Sequence, residues 1–445
     1  MAIIWSFAYP ESENPGLMKI IARETNSDMA NMLDGYEHPA ILVTADYKIL
    51  ATNDLYAERF GDINPEQTNY CYQVSHGYNK PCDKAGEDCP LMSAKSSLRK
   101  ERVLHIHQTP RGKEHVDVEL LPITENNEVK YFVELLKPVS IASAENSHQN
   151  WVGQSPAFNN TVELITRVGP SEASVLLLGE SGTGKELAAH AIHQASLRKN
   201  KAMVTLECAG LTESLFESEL FGYVKGAFTG AIHDKPGLAD AANEGTLFLD
   251  EIADIPYPLQ VKLLRLLETG TYRPVGSTHT KTTHFRLICA THRNIEQLVE
   301  DNLFRQDLYY RINVFPIHVP ALKERNKDIP LIAKTLLNKI SSDMDYVLTH
   351  SAIECLQNHH YRGNIRELRN ILTRATVLAN TNVIDCHVLD HCFEIDSTPK
   401  NDFPNLKNHE RQYLNHLMEV FQGNKEEVAE LAGISVRSLY RKLTD

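Results

Sequence analysis

Val175 to Glu186 reads VLLLGESGTGKE, and a helical pattern, ELAAHAIHQA, continues from Glu186. A short apolar strand, a glycine loop and a helix form the context of a P-loop. Its glycines let backbone N–H groups approach phosphate, its lysine reaches the β/γ-phosphates, and the helix N-terminus favours an anion. Nucleotide binding is therefore assigned to Gly179, Glu180, Ser181, Gly182, Thr183, Gly184, Lys185 and Glu186. Glu186 stands where Ser or Thr usually follows the lysine, so a hydroxyl ligand for magnesium is missing at that position. Further on, Thr246-Leu247-Phe248-Leu249-Asp250-Glu251 reads as a buried strand ending in two carboxylates, at the sheet edge where α/β folds bind ligands. With a P-loop upstream, Asp250 is expected to hold Mg2+ and Glu251 to orient and polarise the attacking water, because phosphoryl transfer is mostly positioning and charge stabilisation.

Working outward, the chain has 445 residues, enough for about three domains at roughly 100 to 200 residues each. Two stretches of small and polar residues, 141–150 and 394–405, read as linkers. Residues 1–140 alternate β-rich runs (AILVTADYKILATN, RVLHIHQT, HVDVELLPI, VKYFVELLKP) with turns and short helical patches, an α+β pattern. Residues 151–320 repeat strand, helix, strand around SVLLLG, GTLFLDE and FRLICAT, which predicts a parallel α/β sheet. A helical segment follows over 321–393, and 406–445 is all-α. Apolar residues at 42% and charged residues at 23% exclude wholesale disorder. The net charge of −13 argues against a surface coated in basic residues for nucleic acid, while leaving room for a small basic element. The absence of a long apolar run or a leader-like start predicts a cytoplasmic protein with no membrane partner. Eight scattered cysteines do not suit a secreted disulfide scaffold.

The stretch ESELFGYVKGAFTGA contains Gly226-Ala227-Phe228-Thr229-Gly230-Ala231. With the P-loop and the Asp250-Glu251 strand end, it makes Trp151 to Phe393 resemble the AAA+ domain of bacterial sigma-54-dependent transcription activators, the enhancer-binding proteins. The resemblance implies a P-loop α/β domain with a helical lid, an ATPase using ATP and Mg2+. It also implies a GAFTGA loop that touches sigma-54 through Phe228 and Thr229. Phe304 to Arg311 (FRQDLYYR) resembles the segment whose arginines, here Arg305 and Arg311, reach the neighbouring subunit's nucleotide, so a ring homo-oligomer, expected as a hexamer, is implied. Gly363-Asn364-Ile365-Arg366-Glu367-Leu368 resembles the sensor II helix, with Arg366 over the phosphates. Three positions depart from the family pattern. His292 replaces a common Asn in the sensor I stretch, an exchange read as benign. Glu207 replaces an Asn thought to restrain the Walker B glutamate, so two carboxylates are expected to repel or to raise one pKa near the site. Tyr361-Arg362 replaces the Trp-Pro usually found before Gly363.

In the tail, Leu414, Leu417, Met418 and Phe421 fall at helical spacing. A helix over Lys425 to Leu431 and a last helix capped by Ser435 follow. The last helix turns Arg437, Ser438, Arg441 and Lys442 outward and resembles the Fis-type helix-turn-helix that ends the same family. It implies upstream enhancer DNA read by dimers on paired half-sites.

HPAILVTADYKILATNDLYAERFG resembles the opening of a PAS domain, which makes the N-terminal segment a PAS-like sensor. No acidic cluster of a phosphoreceiver surrounds Asp46. Within the segment, Cys71, His76, Cys82 and Cys89 could ligate zinc or an iron–sulfur cluster, or the thiols could react as a redox switch. The cysteine spacing resembles that of sulfide-responsive sigma-54 activators, whose thiols react with sulfane sulfur. The remaining cysteines divide into Cys208, Cys289 and Cys355, expected in the core, and Cys386 and Cys392 at the lid's end. The combined expectation is an ATP-driven remodeller of the closed sigma-54 RNA polymerase promoter complex. Its rivals are an AAA+ unfoldase and a DNA-binding repressor with an inactive ATPase; the GAFTGA loop and DNA-reading tail oppose the first, and intact Lys185, Asp250, Glu251 and both arginines oppose the second.

Overall fold

A computed structural model describes residues 31–61, 63, 69–110, 112–125, 128–144, 151–341 and 344–394, together with Leu414, Leu417, Met418, Phe421, 424–436, Ser438, Leu439 and Lys442 of the tail. The β-rich runs of the N-terminal segment are strands: β1 (Ala40–Thr44), β2 (Ile49–Thr52), β3 (Glu101–Thr109), β4 (Gly112–Glu125) and β5 (Glu128–Pro138). They form one antiparallel sheet in the order β2-β1-β5-β4-β3. Between β2 and β3 the chain lays down four short helices, α1 (Asp54–Phe60), α2 (Cys71–His76), α3 (Cys82–Ala85) and α4 (Pro90–Ser97). Alternation along the strands sends Ile41, Val43, Val116, Val118, Leu120 and Phe132 to a core shared with Tyr56 of α1 and Leu91 of α4.

The expected linker over 141–150 is partly structured. Ala142–Ser143 (β6) pairs in parallel with Trp151–Val152 (β7), because a strand pair satisfies backbone groups that a free linker would leave to water. Helix α5 (Pro156–Val168) follows, with Ser155 as its N-cap accepting from the Phe158 N–H. The central sheet contains β8 (Val175–Leu178), β9 (Met203–Glu207), β12 (Thr246–Asp250), β15 (Arg286–Thr291) and β16 (Phe315–His318). All neighbours in its order β16-β8-β15-β12-β9 are parallel. Leu176, Leu247, Leu249, Leu287 and Cys289 pack into one core, and Val175, Leu177, Phe248, Ile288 and Ala290 into another. The near-continuous apolar runs in the sequence follow from that two-sided burial. Two-residue ladders decorate it: β10 (Gly222–Tyr223) with β11 (Lys235–Pro236), and β13 (Thr271–Tyr272) with β14 (Lys281–Thr282).

Past β16 the described chain is mainly helical, with one two-residue parallel ladder between Val347–Leu348 and Val383–Ile384. The lid packs α6 (Ile329–Ile340), α7 (His350–Asn358) and α8 (Asn364–Leu378). Tyr361, which departs from the family pattern, is 5% exposed and donates its hydroxyl to Leu356 O at 2.8 Å, so it fills the lid interior. Cys208 and Cys289 are core residues as expected, whereas Cys355 is half-buried and joined to Cys386 in a disulfide. The turn after Ile384 returns the chain to α7 over a separation of 31 residues, a proximity no local pattern reveals.

A buried ion pair anchors the start of the lid. Arg325 and Asp328 are each 1% exposed and bonded Nε to Oδ2 at 3.1 Å. Asp328 also accepts from the N–H groups of Gln154 and Ser155 and from Ser155 Oγ, while Arg325 donates to Val152 O at 2.6 Å and stacks over Phe158. Removing one partner strands a charge without water.

The tail, taken by itself, has a small core of Leu414, Val428, Ala429 and Leu439, with Leu417, Met418, Phe421, Ala432 and Ile434 against it. One helix covers Lys425–Leu431, and Ser435 Oγ accepts from the Ser438 N–H at 3.2 Å in the capping role expected. Arg437 and Arg441 lie outside the described residues.

Asp328→Ala is expected to cost about 3–5 kcal/mol, because it leaves the Arg325 guanidinium buried and unpaired. Urea unfolding of the full chain measures it, and a change under ~1 kcal/mol would contradict the anchoring role.

Candidate functional site

The phosphate loop connects β8 to helix Lys185–Gln194. Gly182 and Gly184 adopt φ of 77° and 100°, a region L side chains disfavour. At Gly182 there is no room either: a Cβ would meet Gly363 O at 2.3 Å. The lid supplies that close approach. Asn364, 1% exposed and itself at φ 52°, donates Nδ2 to Ser181 O and to Glu180 Oε2, each at 3.0 Å. Its Oδ1 accepts from the Leu322 N–H, and the Ile365 N–H bonds Gly182 O at 2.9 Å. Arg366 then reaches Ser181 Oγ at 2.8 Å, and Lys323 pairs with Glu180 at 2.8 Å. Lys185 is 7% exposed and donates to Gly179 O and Glu180 O at 3.0 and 3.2 Å. Burial lowers its pKa, with Glu251 and Asp250 opposing that shift and Arg366 adding to it. Thr183 Oγ1 donates back to Glu180 O, and Glu186 stays exposed on the first helical turn.

The two carboxylates arrive from β12 as expected. Burial raises the Asp250 pKa, aided by Glu251 and Glu186 and opposed by the Glu251 N–H, which bonds Oδ1 at 3.0 Å. Glu251 takes φ of 50°, a strained backbone of the kind kept at functional sites. Its Oε1 lies 3.8 Å from Lys185 Nζ, and its Oε2 is within bonding distance of His292 N (3.2 Å) and Nδ1 (2.8 Å). So His292, read from the sequence as a benign exchange, is the residue that holds Glu251. Glu207 pairs in register with Asp250 but is exposed at the strand end, and the carboxylates acting on Asp250 are Glu251 and Glu186. A cleft of about 470 Å³ opens beside the loop, lined by Gly179, Glu180, Thr291, His292 and Tyr309.

Gly226 to Ala231 forms the tip between β10 and β11. It is closed by Gly226 N–H to Ala231 O at 2.9 Å, with both glycines at positive φ. Phe228 is 47% exposed with its ring edge on Tyr223, and Thr229 is exposed. The two candidate arginines bond at the surface: Arg305 to Asp307 at 2.6 and 3.0 Å, and Arg311 to Leu267 O at 2.7 Å.

In the N-terminal domain, Cys71, His76, Cys82 and Cys89 line one small cavity of about 20 Å³ with Ser75, His105 and Glu134. Cys82 and Cys89 are hydrogen-bonded thiols. Cys89 caps α4 and is lowered to about 7, first by the Cys82 S–H and then by the Leu91 and Met92 N–H groups. Cys82 is pushed up, first by that same bond and then by burial, and burial pushes Cys71 well up. Burial, with Cys89 adding, raises Glu134 to about 8. The four residues do not form the tetrahedral cluster considered from the sequence. Among the described residues here, His76 instead converges with His105 and His107, which the sequence reading missed although His-x-His in a strand places both rings on one face. Burial first, with the neighbouring imidazoles acting in the same direction, lowers His76 to about 4 and His107 well below the usual range.

The Sigma-54 interaction domain matches residues 151–318, the AAA+ ATPase lid domain 323–404, and the Fis family of bacterial regulatory proteins 405–445. The transcriptional regulatory protein GlrR of Escherichia coli is 40% identical over 310 residues, covering 68% of this chain and 70% of that protein. A Nif-specific regulatory protein of Bradyrhizobium diazoefficiens is 49% identical over 236 residues, 52% of this chain and 40% of its own. The crystal structure of NtrX from Brucella abortus in complex with ATP superposes with a TM-score of 0.51 at 32% identity, over 67% of this chain and 70% of that one. No helix among the described residues is long and apolar enough to cross a membrane. With the phosphate loop, the lid clamp and the exposed GAFTGA tip on one scaffold, the chain belongs to the sigma-54-interacting AAA+ ATPases that regulate transcription through a Fis-type helix-turn-helix.

Proposed function

We propose that the protein hydrolyses ATP in a ring of its own copies, a hexamer, to remodel the closed sigma-54 RNA polymerase promoter complex in the cytoplasm, from DNA sites bound by its tail. The observation that carries this reading is the convergence of Lys185, Arg366, Asp250 and Glu251 at one sheet edge. Lys185 and Arg366 offer the cations an anionic phosphate chain needs, and Asp250 would hold Mg2+, which screens phosphate charge when bound. Glu251, held by His292, orients the water. Phe228 and Thr229, exposed at the loop tip, are the sigma-54 contact. Arg305 and Arg311, bonded only to surface groups of their own chain in the contacts above, act on a neighbouring copy's phosphates. Ser435, Arg437, Ser438, Arg441 and Lys442 are the DNA-reading set.

The N-terminal domain is a PAS-like sensor; the sheet order β2-β1-β5-β4-β3 with helices between β2 and β3 supports that reading. Its signal is sulfane sulfur. The Cys89 thiolate attacks a sulfur of a polysulfide, a bond forms between them, and the S–S bond beyond breaks with the shorter polysulfide leaving as an anion. Cys82 supplies the hydrogen bond that favours the Cys89 thiolate, and the cavity has room for about one water-sized group. A metal or cluster bound through Cys71, His76, Cys82 and Cys89 is disfavoured because those ligand atoms do not converge.

Lys185→Ala is expected to lower ATP turnover about 100-fold or more. Arg305→Ala chains are expected to be inactive alone yet to regain activity when mixed with Lys185→Ala chains, because each supplies what the other lacks; no recovery on mixing would refute action in trans. His292→Ala should lower turnover by about 10-fold to 100-fold through misplacement of Glu251. Glu207→Asn should leave it within about twofold, and the reverse ranking would return control to Glu207. Mass spectrometry of the full chain after timed polysulfide exposure should show Cys89 labelling that speeds up as pH rises through about 7 and levels off above, since the thiolate is the nucleophile. In Cys82→Ala the midpoint should move toward the ordinary thiol value of 9.0. An unmoved midpoint contradicts the donor role of Cys82.

A further inference from the structure

His76 ends α2, and His105 and His107 stand two apart on β3, so the strand's alternation turns both toward α2. One ring nitrogen from each lies within 4.8 Å of the other two. Ring centroids are 4.8 Å apart for His76 and His107, 5.1 Å for His76 and His105, and 5.9 Å for His105 and His107. All three are withdrawn from water: the His76 side chain is 3% exposed, His105 7% and His107 1%. We propose that His76, His105 and His107 form a binding site for a divalent first-row transition-metal ion, zinc foremost, in which the imidazoles and not the neighbouring thiols are the ligands.

The orientation of the rings carries the argument further than their proximity. His76 Nδ1 lies 3.1 Å from Ile106 O, and His105 Nε2 lies 2.5 Å from Asp88 O. A carbonyl oxygen only accepts, so each of those nitrogens carries the proton and the other nitrogen of each ring is left with its lone pair. Pinning a ring through one N–H to a backbone carbonyl is how metal-ligating histidines are held. His107 Nδ1 is buried with no hydrogen-bond partner among the described residues. A tetrahedral ion at about 2.0–2.1 Å from each nitrogen would hold the nitrogens roughly 3.3 Å apart, so the cluster, now within 4.8 Å, has to contract by at most about 1.5 Å. The Glu87 carboxylate, which holds the Tyr78 hydroxyl at 2.5 Å, lies 3.7 Å from His76 Nδ1, on the protonated side of that ring. Imidazole donors select zinc, copper or nickel over magnesium or calcium.

The test takes the full-length protein without nucleotide, strips it with a chelator, and re-equilibrates it with Zn2+ or Co2+ for metal analysis and visible spectroscopy. The expected result is one equivalent per chain, a Co2+ absorption spectrum of nitrogen ligation, and a higher melting temperature with Zn2+ than with chelator. His105→Ala and His107→Ala should each weaken retention at least about tenfold, while Cys82→Ala and Cys89→Ala retain the ion. ATP hydrolysis of the histidine variants reports that the chain has folded, and the melting comparison needs no variant. Metal lost from the thiol variants and kept by the histidine variants overturns the proposal, as does wild-type protein that takes up no equivalent and melts alike with metal and chelator.

Discussion

The bond between a buried lid asparagine and the phosphate loop is the contact on which the rest of the ATPase arrangement turns. A loop that binds phosphate must aim backbone N–H groups outward, which leaves its carbonyls needing donors from elsewhere. Asn364 and Ile365 supply them to Ser181 and Gly182, and Asn364 is fixed in turn by the Leu322 N–H. The geometry is possible only because residue 182 has no Cβ, with Gly363 O already where one would sit. Loop and lid are therefore bonded together, and Arg366, two residues after Asn364, reaches the loop through that register. On the far side of Gly363, Arg325 and Asp328 lock the root of the lid to the start of α5. Any change in the lid's angle is thereby felt at the phosphate loop and at the first helix together.

The parts of this arrangement legible in the sequence are those with a local cause. The P-loop was legible because glycines at fixed offsets answer a backbone demand, and the β8, β12 and β15 strands because burial on both faces leaves continuous apolar runs. The N-terminal strands announced themselves by alternation. What depends on distant segments meeting was not legible. Asn364 looked like one letter of a family motif, and its buried contact with the loop requires knowing that the lid folds back over residue 182. His292 faces Glu251 only because β15 lies next to β12. The same limit misled the reading of the thiols: Cys71, His76, Cys82 and Cys89 are close in sequence, but three of them start or cap separate short helices, and His76 turns to the strand where His105 and His107 wait. The Cys355–Cys386 disulfide arises from chain return, which composition cannot express.

The N-terminal sheet packs directly on the ATPase domain. On β3, His105 and His107 face the helices, while the intervening alternation sends Leu104 into the core that contains Trp151 and Phe158 of the ATPase domain. His115, on the neighbouring strand, bonds Asn159 Oδ1 at 3.0 Å and packs against the Phe158 ring. Phe158 in turn lies under the Arg325 guanidinium at 4.6 Å. A change on one face of β3 thus meets, one side chain away, the buried pair that fixes the lid. The thiol cavity brings two ionisable groups, Cys89 and Glu134, against each other. Cys89 is lowered to about 7 and Glu134 is raised to about 8, the latter because burial and a charge on Cys89 both oppose its ionisation. β5, which carries Glu134, is paired directly with β4, the strand of His115. Glu134 and the Phe158–Arg325 contact at the root of the lid are thus joined by two paired strands and one aromatic ring.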